Sequence, residues 1–224
     1  MAFAPWIGRT RTQHDEVTDG LIARLCATID TARPPASHAP QGAHWCLCLP
    51  DAPTAALGVD GHPVAENGAD AFMPPIPLPR RMWAGSAVQF HAPIAGGAAI
   101  ERQSTIHAVA DKTGTTGPLI FVTVDHAIWA DGILAVQERQ NIVYRDAATT
   151  PATFATPRAG HATLNHADWP DQRRIAPHEA QLARYSAITF NAHRIHYDRP
   201  YAVEQEGYAG LVVHGPLTAT LLLD

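Results

Sequence analysis

The stretch AAIERQSTIHAVADKTGTTGPLIFVTVDHAIWADGILAVQERQNIVY, residues 98–144, decides the fold. It holds three long runs rich in β-branched and aromatic residues, at about 98–110, 119–129 and 133–144. Turn chemistry separates them: DKTGTTGP between the first two, and ADG at 130–132 between the second and third. Asp131-Gly132 suits the left-handed conformations of a two-residue hairpin. Residues 81–145, including MWAGSAVQFHAPI (82–94) with its interrupting Gly85, therefore read as an antiparallel meander.

On the N-terminal side, Thr18 or Asp19 could cap a helix whose stripe is Leu21, Ile22, Leu25, Cys26 and Ile29. The breaker-rich TARPPASHAPQG (31–42) ends it. A short apolar run follows, HWCLCL (44–49), in which Cys46 and Cys48 would share one face of a strand. Residues 50–79 read as loop, because the prolines of FMPPIPLP (72–79) remove ladder donors. A helix laid on a curved antiparallel sheet makes this half α+β.

On the other side, the small, polar, proline-bearing stretch 146–160 reads as a linker. The expected division is 1–146, a linker over 147–160, and a second unit over 161–224. That unit is expected to begin with a short strand near Arg173–Ile175 and a helix starting near His178. The loop FNAHRIHYD (190–198) comes next, and then an apolar helix that Gly215 opens. Leu217, Leu221, Leu222 and Leu223 need a sheet to bury them, so either another chain supplies it or, the favoured expectation, the second unit is truncated at Asp224.

At 46% apolar and 17% charged residues the composition is globular, and the net charge of −5 argues against a nucleic-acid surface. No run reaches the ~20 apolar residues of a membrane span, and the N-terminus does not read as a signal peptide. The cysteines Cys26, Cys46 and Cys48 fit neither a disulfide framework nor a four-ligand zinc site. A cytoplasmic protein is the simplest reading.

FNAHRIHYD is the most polar cluster in the chain. An imidazole titrates near neutrality, and an adjacent amide can orient water or a carbonyl without competing for the proton. Adding water to a conjugated thioester needs a base for water, an acid for the α-carbon and donors for the enolate oxygen. The free N–H of Gly215 at a helix start could be such a donor. Taken alone, His196 reads as a buried histidine bonded to backbone. His193 reads equally as a solvated residue or a substrate contact. Arg194 reads first as a surface arginine, and alternatively as a clamp for a substrate carboxylate. His193 and His196 with no well-spaced third ligand give no metal site. Arg80 and Arg81 read as charges guarding a strand edge, with CoA phosphates as the alternative.

The pattern N-x-H-x-x-H-x-D over 191–198, followed by V-x-H-G over 212–215, resembles the type 2 enoyl-CoA hydratases, the MaoC-like branch of the hot-dog fold. That family's usual form is D-x-N-P-x-H-x-D and then H-G. By the resemblance its catalytic aspartate falls on Asn191, its asparagine on His193, its proline on Arg194, and its catalytic histidine on His196. Asp198 keeps the trailing aspartate, and the oxyanion glycine falls on Gly215. RYSAITFNAHRIHYD (184–198) is similar to mitochondrial-type 3-hydroxyacyl-thioester dehydratases and bacterial mesaconyl-C4-CoA hydratases. WIGRT (6–10), HW (44–45), LGVDGHP (57–63), PLPRRMWAG (77–85), KTGTTGPLIFVTV (112–124) and NIVYR (141–145) extend that likeness along the chain.

The resemblance implies a double hot-dog, two curved antiparallel sheets each wrapped on a central helix, with a noncatalytic N-terminal half shaping a CoA tunnel. It implies hydration of an acyl-CoA such as mesaconyl-C4-CoA to citramalyl-CoA, with no cofactor beyond the CoA thioester and with a homodimer optional. Two other functions stay open: dehydration of 3-hydroxyacyl thioesters, and a noncatalytic acyl-CoA-binding or partner subunit. Asn191 is no carboxylate base, so His196 would carry the main acid/base role while Asn191 orients.

Overall fold

A computed structural model describes residues 3–34, 38–64, 68, 71–114, 117–147 and 173–224. Positions 148–160 of the expected linker, and 161–172 after it, lie outside them. The meander is present as β2 (Arg80–Phe90), β3 (Ala99–Gly114), β4 (Gly117–Ala130) and β5 (Ile133–Arg145), preceded by β1 (Thr10–Glu16). The five strands pair antiparallel in the order β1-β3-β4-β5-β2. Asp131 and Gly132 take φ of 49° and 78°, the left-handed pair that closes the β4–β5 hairpin. The Asp131 carboxylate also accepts from the Ala99 N–H at 2.9 Å. Gly85 marks a bulge in β2, as an isolated strand glycine suggests.

The separator between β3 and β4 is shorter than its composition implies. Pairing runs on through Lys112↔Leu119 and Thr113↔Pro118 to Gly114↔Gly117. β1 has no apolar alternation, because it is an edge strand exposed along nearly its whole length.

α1 (Asp19–Ile29) starts at Thr18, whose hydroxyl accepts from the Leu21 N–H at 3.1 Å. The sheet wraps one side of this helix, and Ile22 and Cys26 pack there with Ile100, Ile128 and Val136. Leu25 and Ile29 look the other way, onto α2 (Glu179–Ile188) and α3 (Gly215–Leu223), with Leu182, Tyr185 and Leu217. One helix thus serves two cores.

Two expectations fail locally. Residues 44–49 form no strand: Ala43–Cys46 is a 3-10 turn and Cys48 is left-handed at φ 51°. The turn sends Cys46 to the helix core and Cys48 to the sheet core, so the two do not share a face. No strand forms at Arg173–Ile175 either, since Arg173 instead reaches the Ile29 carbonyl at the end of α1 and the Asp224 carboxylate. Among the described residues no strand follows β5. Leu217 is nonetheless fully buried by the helices, while Leu222 is exposed. Among those residues no helix is long and apolar enough to cross a membrane.

Candidate active site

α2 ends at Thr189, and Phe190 turns the chain with φ of 48°. The Asn191 N–H keeps hold of the helix through the Ser186 carbonyl at 2.8 Å. Its side-chain oxygen accepts from the His193 N–H at 3.0 Å, an Asx-turn that leaves its amide NH2 as donor. The chain then winds through a 3-10 turn, Arg194–His196, which delivers His196 inward.

Both edges of that turn are pinned by residue 212. The Val212 N–H bonds the Ile195 carbonyl at 3.0 Å, and the Val212 carbonyl accepts from His196 Nδ1 at 2.7 Å. Nδ1 is therefore the protonated nitrogen of neutral His196, and Nε2 keeps its lone pair. The ring stacks on His214 with centroids 3.6 Å apart. His214 precedes α3 and meets the Ser186 hydroxyl through Nε2 at 2.9 Å. Burial lowers both imidazoles, His196 to about 4 and His214 to about 2.

Gly215 follows as the first residue of α3, with first-turn N–H groups available. Its missing side chain is filled by Trp83 from β2, because a Cβ there would fall 2.1 Å from Trp83 Cε3. Trp83 Nε1 donates to Ser86 Oγ at 3.0 Å, and Ser86 in turn hydrogen bonds to buried Glu138, which also accepts from Trp45 Nε1 at 3.1 Å. The start of α3 thus leans on a polar network of the sheet.

His193 and His196 lie ring to ring at 5.5 Å, Asn191 holds the His193 N–H, and Gly215 follows the His214 that stacks on His196, so the four form one cluster. Arg194 does not present its guanidinium to it: Nε and Nη2 bond Asp198 at 3.0 and 2.7 Å, and Nη1 bonds the Val59 carbonyl at 2.9 Å. A role as carboxylate clamp would require breaking that pair. Arg80 is likewise paired, with Glu206 at 3.0 Å and with the Gln205 carbonyl. These paired arginines line an open groove of about 810 Å³ together with Asp198 and Glu206, so it is no anion channel. Tyr185 is fully buried packing, and Tyr197 caps the Ala192 carbonyl at 2.9 Å.

Two residues that sequence reasoning left without a role, Asp60 and His62, complete the cluster. His62 lies with its ring 4.0 Å from that of His193, which is 5.5 Å from His196. His62 Nδ1 bonds Asp60 at 2.8 Å. Burial, followed by the charge of His62, lowers His193 to about 3. Burial raises the Asp60 carboxyl, but hydrogen bonds from His62 outweigh it and hold Asp60 at about 2. Ligand atoms of Asp60, His62 and His193 lie within 4.8 Å of one another, the one such group among the described residues. Asp60 and His62 already close on each other there, an acid–imidazole hydrogen bond instead of donors facing an empty centre. The signal for this pair was the LGVDGHP stretch, and for His214 the residue before Gly215.

Known proteins resemble this chain at the level of family and fold. The family model described as hydroxyacyl-thioester dehydratase type 2 matches residues 42–224. The chain is similar to mesaconyl-C(4)-CoA hydratase of Chloroflexus aurantiacus, 43% identical over 225 residues, which cover 98% of this chain and 76% of that protein. It is 24% identical over 228 residues to the mitochondrial hydroxyacyl-thioester dehydratase type 2 of Schizosaccharomyces pombe, covering 92% of this chain and 71% of the other. Among solved structures, HtdX of Mycobacterium tuberculosis superposes with a TM-score of 0.63 at 15% identity, covering 96% of this chain and 76% of that one. That last likeness is one of fold, and the fold is the hot-dog.

Proposed function

The chain belongs to the hydroxyacyl-thioester dehydratase type 2 family, a family of hydro-lyases, and from that premise we propose that it adds water to mesaconyl-C4-CoA, giving citramalyl-CoA. The observation that carries this reading is His196. Its Nδ1–H is fixed to the Val212 carbonyl, and burial holds the ring neutral, so Nε2 is a lone-pair base in the interior of the histidine cluster.

The reaction then runs as follows. Nε2 of His196 takes a proton from water, the oxygen bonds to the β-carbon, and the double-bond electrons move toward the thioester oxygen. The Gly215 N–H, at the positive end of α3, meets that developing charge. The enolate collapses as the α-carbon takes a proton. Asn191, its oxygen already used in the Asx-turn, offers its NH2 to orient water or carbonyl. His193 lines the substrate side of the cluster. The CoA thioester is the substrate, and the chemistry calls for no further cofactor.

The reading extends to architecture. Residues 1–146 form a hot-dog that shapes the CoA tunnel, and 161–224 carry the FNAHRIHYD loop and central helix of a second one. This chain covers about three quarters of each relative above. A pairing of two such chains is compatible with both halves.

The test follows loss of enoyl-thioester absorbance with mesaconyl-C4-CoA and with crotonyl-CoA. Wild type should prefer the former, and His196→Ala should lose at least ~10²-fold in kcat. Near-normal turnover in that variant overturns the assignment. The S. pombe relative favours a second reading, dehydration of 3-hydroxyacyl thioesters by the same groups in reverse, and equal or faster turnover of longer chains would select it. Binding of CoA thioesters with no turnover at all would mark a noncatalytic subunit, the reading that Asn191 favours.

A further inference from the structure

The family motif pairs its histidine with an aspartate from the same loop, and this chain has Asn191 at that position. A carboxylate–imidazole pair nevertheless reaches the cluster, from the other half of the chain. We propose that His62, oriented by Asp60, is a second acid/base of the hydration, delivering the proton to the α-carbon while His196 takes one from water. This rests on the hydratase reading above.

The turn that carries the pair is tightly made. The Gly58 N–H bonds the His62 carbonyl at 2.8 Å, and the Gly61 N–H bonds the Gly58 carbonyl at 3.0 Å. Asp60 accepts twice from His62, from the backbone N–H at 3.0 Å and from ring Nδ1 at 2.8 Å. The turn is seated on the catalytic loop. The Asp60 carbonyl accepts from the Arg194 N–H at 2.9 Å, and Val59 takes Nη1 of the same arginine. Gly61, at φ 87°, lies so close to Ala192 that a Cβ would fall 1.8 Å from its carbonyl oxygen. A turn of nonspecific function would not need this fit.

The two histidines are differently equipped. His196 has only the neutral Val212 carbonyl behind it, and burial outweighs what that hydrogen bond gives the imidazolium. His62 has a carboxylate behind Nδ1, which fixes the ring and leaves Nε2 as the nitrogen that would give the proton. Its side chain is 20% exposed, so solvent can restore that proton. The charged and titratable groups around it are Asp60, His193, Arg194 and, within electrostatic reach of the same imidazoles, His196, His214 and Arg81. Per turnover, water loses a proton to His196, its oxygen bonds Cβ, the π pair passes through the enolate to form the Cα–H bond, and His62 supplies that proton. His196 ends charged and His62 neutral, and exchange with solvent resets both.

The experiment compares His62→Gln, Asp60→Asn and His196→Gln in the whole chain, with near-UV circular dichroism to check packing. His62→Gln should lower kcat for mesaconyl-C4-CoA by about 10²-fold or more with KM changed only a few-fold. Added imidazole should partly restore a His62→Ala variant. Asp60→Asn weakens the hydrogen bonds that orient the ring, so kcat should fall with KM little changed, and Asp60→Glu should restore part of it. A His62→Gln enzyme of native packing and near-normal kcat, beside an inactive His196→Gln enzyme, overturns the role of His62 and leaves the hydratase reading intact. An active His196→Gln enzyme overturns the two-histidine division of labour, and a wild type without turnover overturns the hydratase reading itself. Loss of activity on chelation, restored by Zn²⁺, would make His62 a metal ligand and overturn the acid role.

Discussion

Gly215→Ala tests the junction between the two halves with a single methyl group. The added carbon would lie 2.1 Å from Cε3 and 2.5 Å from Cζ3 of Trp83, on the benzo edge of the indole. Ordinary contact starts near 3.4 Å, so the ring must retreat by about 1.3 Å, beyond the small shifts a packed interior absorbs. It is not free to do so. Trp83 Nε1 is bonded to Ser86 at 3.0 Å, and Ser86 to Glu138. Overpacking costs about 1–3 kcal/mol, and loss of the indole hydrogen bond adds about 1 kcal/mol. At about 2–4 °C per kcal/mol for a chain of this size, Tm should fall by about 5–15 °C in calorimetry. Trp83→Phe deletes the benzo edge, so the double variant should recover most of that loss, with a favourable coupling of about 1–3 kcal/mol. The backbone N–H survives in both variants, and kcat should return with Tm if that N–H is what serves the enolate. A Gly215→Ala protein melting within about 2 °C of wild type, or strictly additive losses in the pair, would refute the seating of Trp83 on α3.

Other outcomes follow from the same geometry. Burial lowers His44 to about 3, His126 to about 4, His193 to about 3, His196 to about 4 and His214 to about 2. The unfolded chain therefore binds these protons first as pH falls below about 6.5. Each such histidine removes up to about 1.4 kcal/mol per pH unit between there and its folded value. Urea midpoints should drop steeply from pH 6.5 to 4.5, and a flat profile would mean that the folded protein accepts the protons. Ser186→Ala strips the bond to His214 Nε2 inside the protein and should cost about 1–3 kcal/mol in urea titration. It should also reduce kcat, because His214 backs the His196 ring. Thr18→Ala removes the α1 cap and should cost about 1 kcal/mol without touching kcat.

The sequence was legible where a local pattern and the packing demand coincide. Thr18 caps α1, the Asp131-Gly132 dipeptide closes its hairpin, and Gly85 bulges β2, each for the reason its residue type suggests. β1 was not legible, since an edge strand of TRTQHDE has no buried face to impose alternation. The HWCLCL run misled for the opposite reason. Its apolar residues serve two cores on different sides, so a turn satisfies them better than a strand. At the site, His196, Asn191 and Gly215 share one continuous motif, and the loop and helix start that hold them are local structures. Asp60 and His62 are more than 125 residues away in sequence, and it is the packing of Gly61 against Ala192 and the bonds from Arg194 to Val59 and Asp60 that bring them in.

The stacked pair sharpens what that distant turn must supply. With centroids 3.6 Å apart and both rings buried, His196 and His214 cannot both carry charge without strong repulsion. The reaction nonetheless needs a proton on hand for the α-carbon as well as a base for water. A motif with aspartate at position 191 would place a carboxylate beside the histidine and let one loop hold both. With Asn191 there, among the described residues His62 is the imidazole of this group that hydrogen bonds to a carboxylate. The neutral stack and the Asp60–His62 pair are then two halves of one arrangement. Separating them by Gly61→Val, which drives a side chain into the Ala192 carbonyl, should abolish turnover while α1 and the sheet core stay folded. Far-UV circular dichroism beside the kcat assay reads both, and an active Gly61→Val enzyme would show that the N-terminal turn is not part of the site.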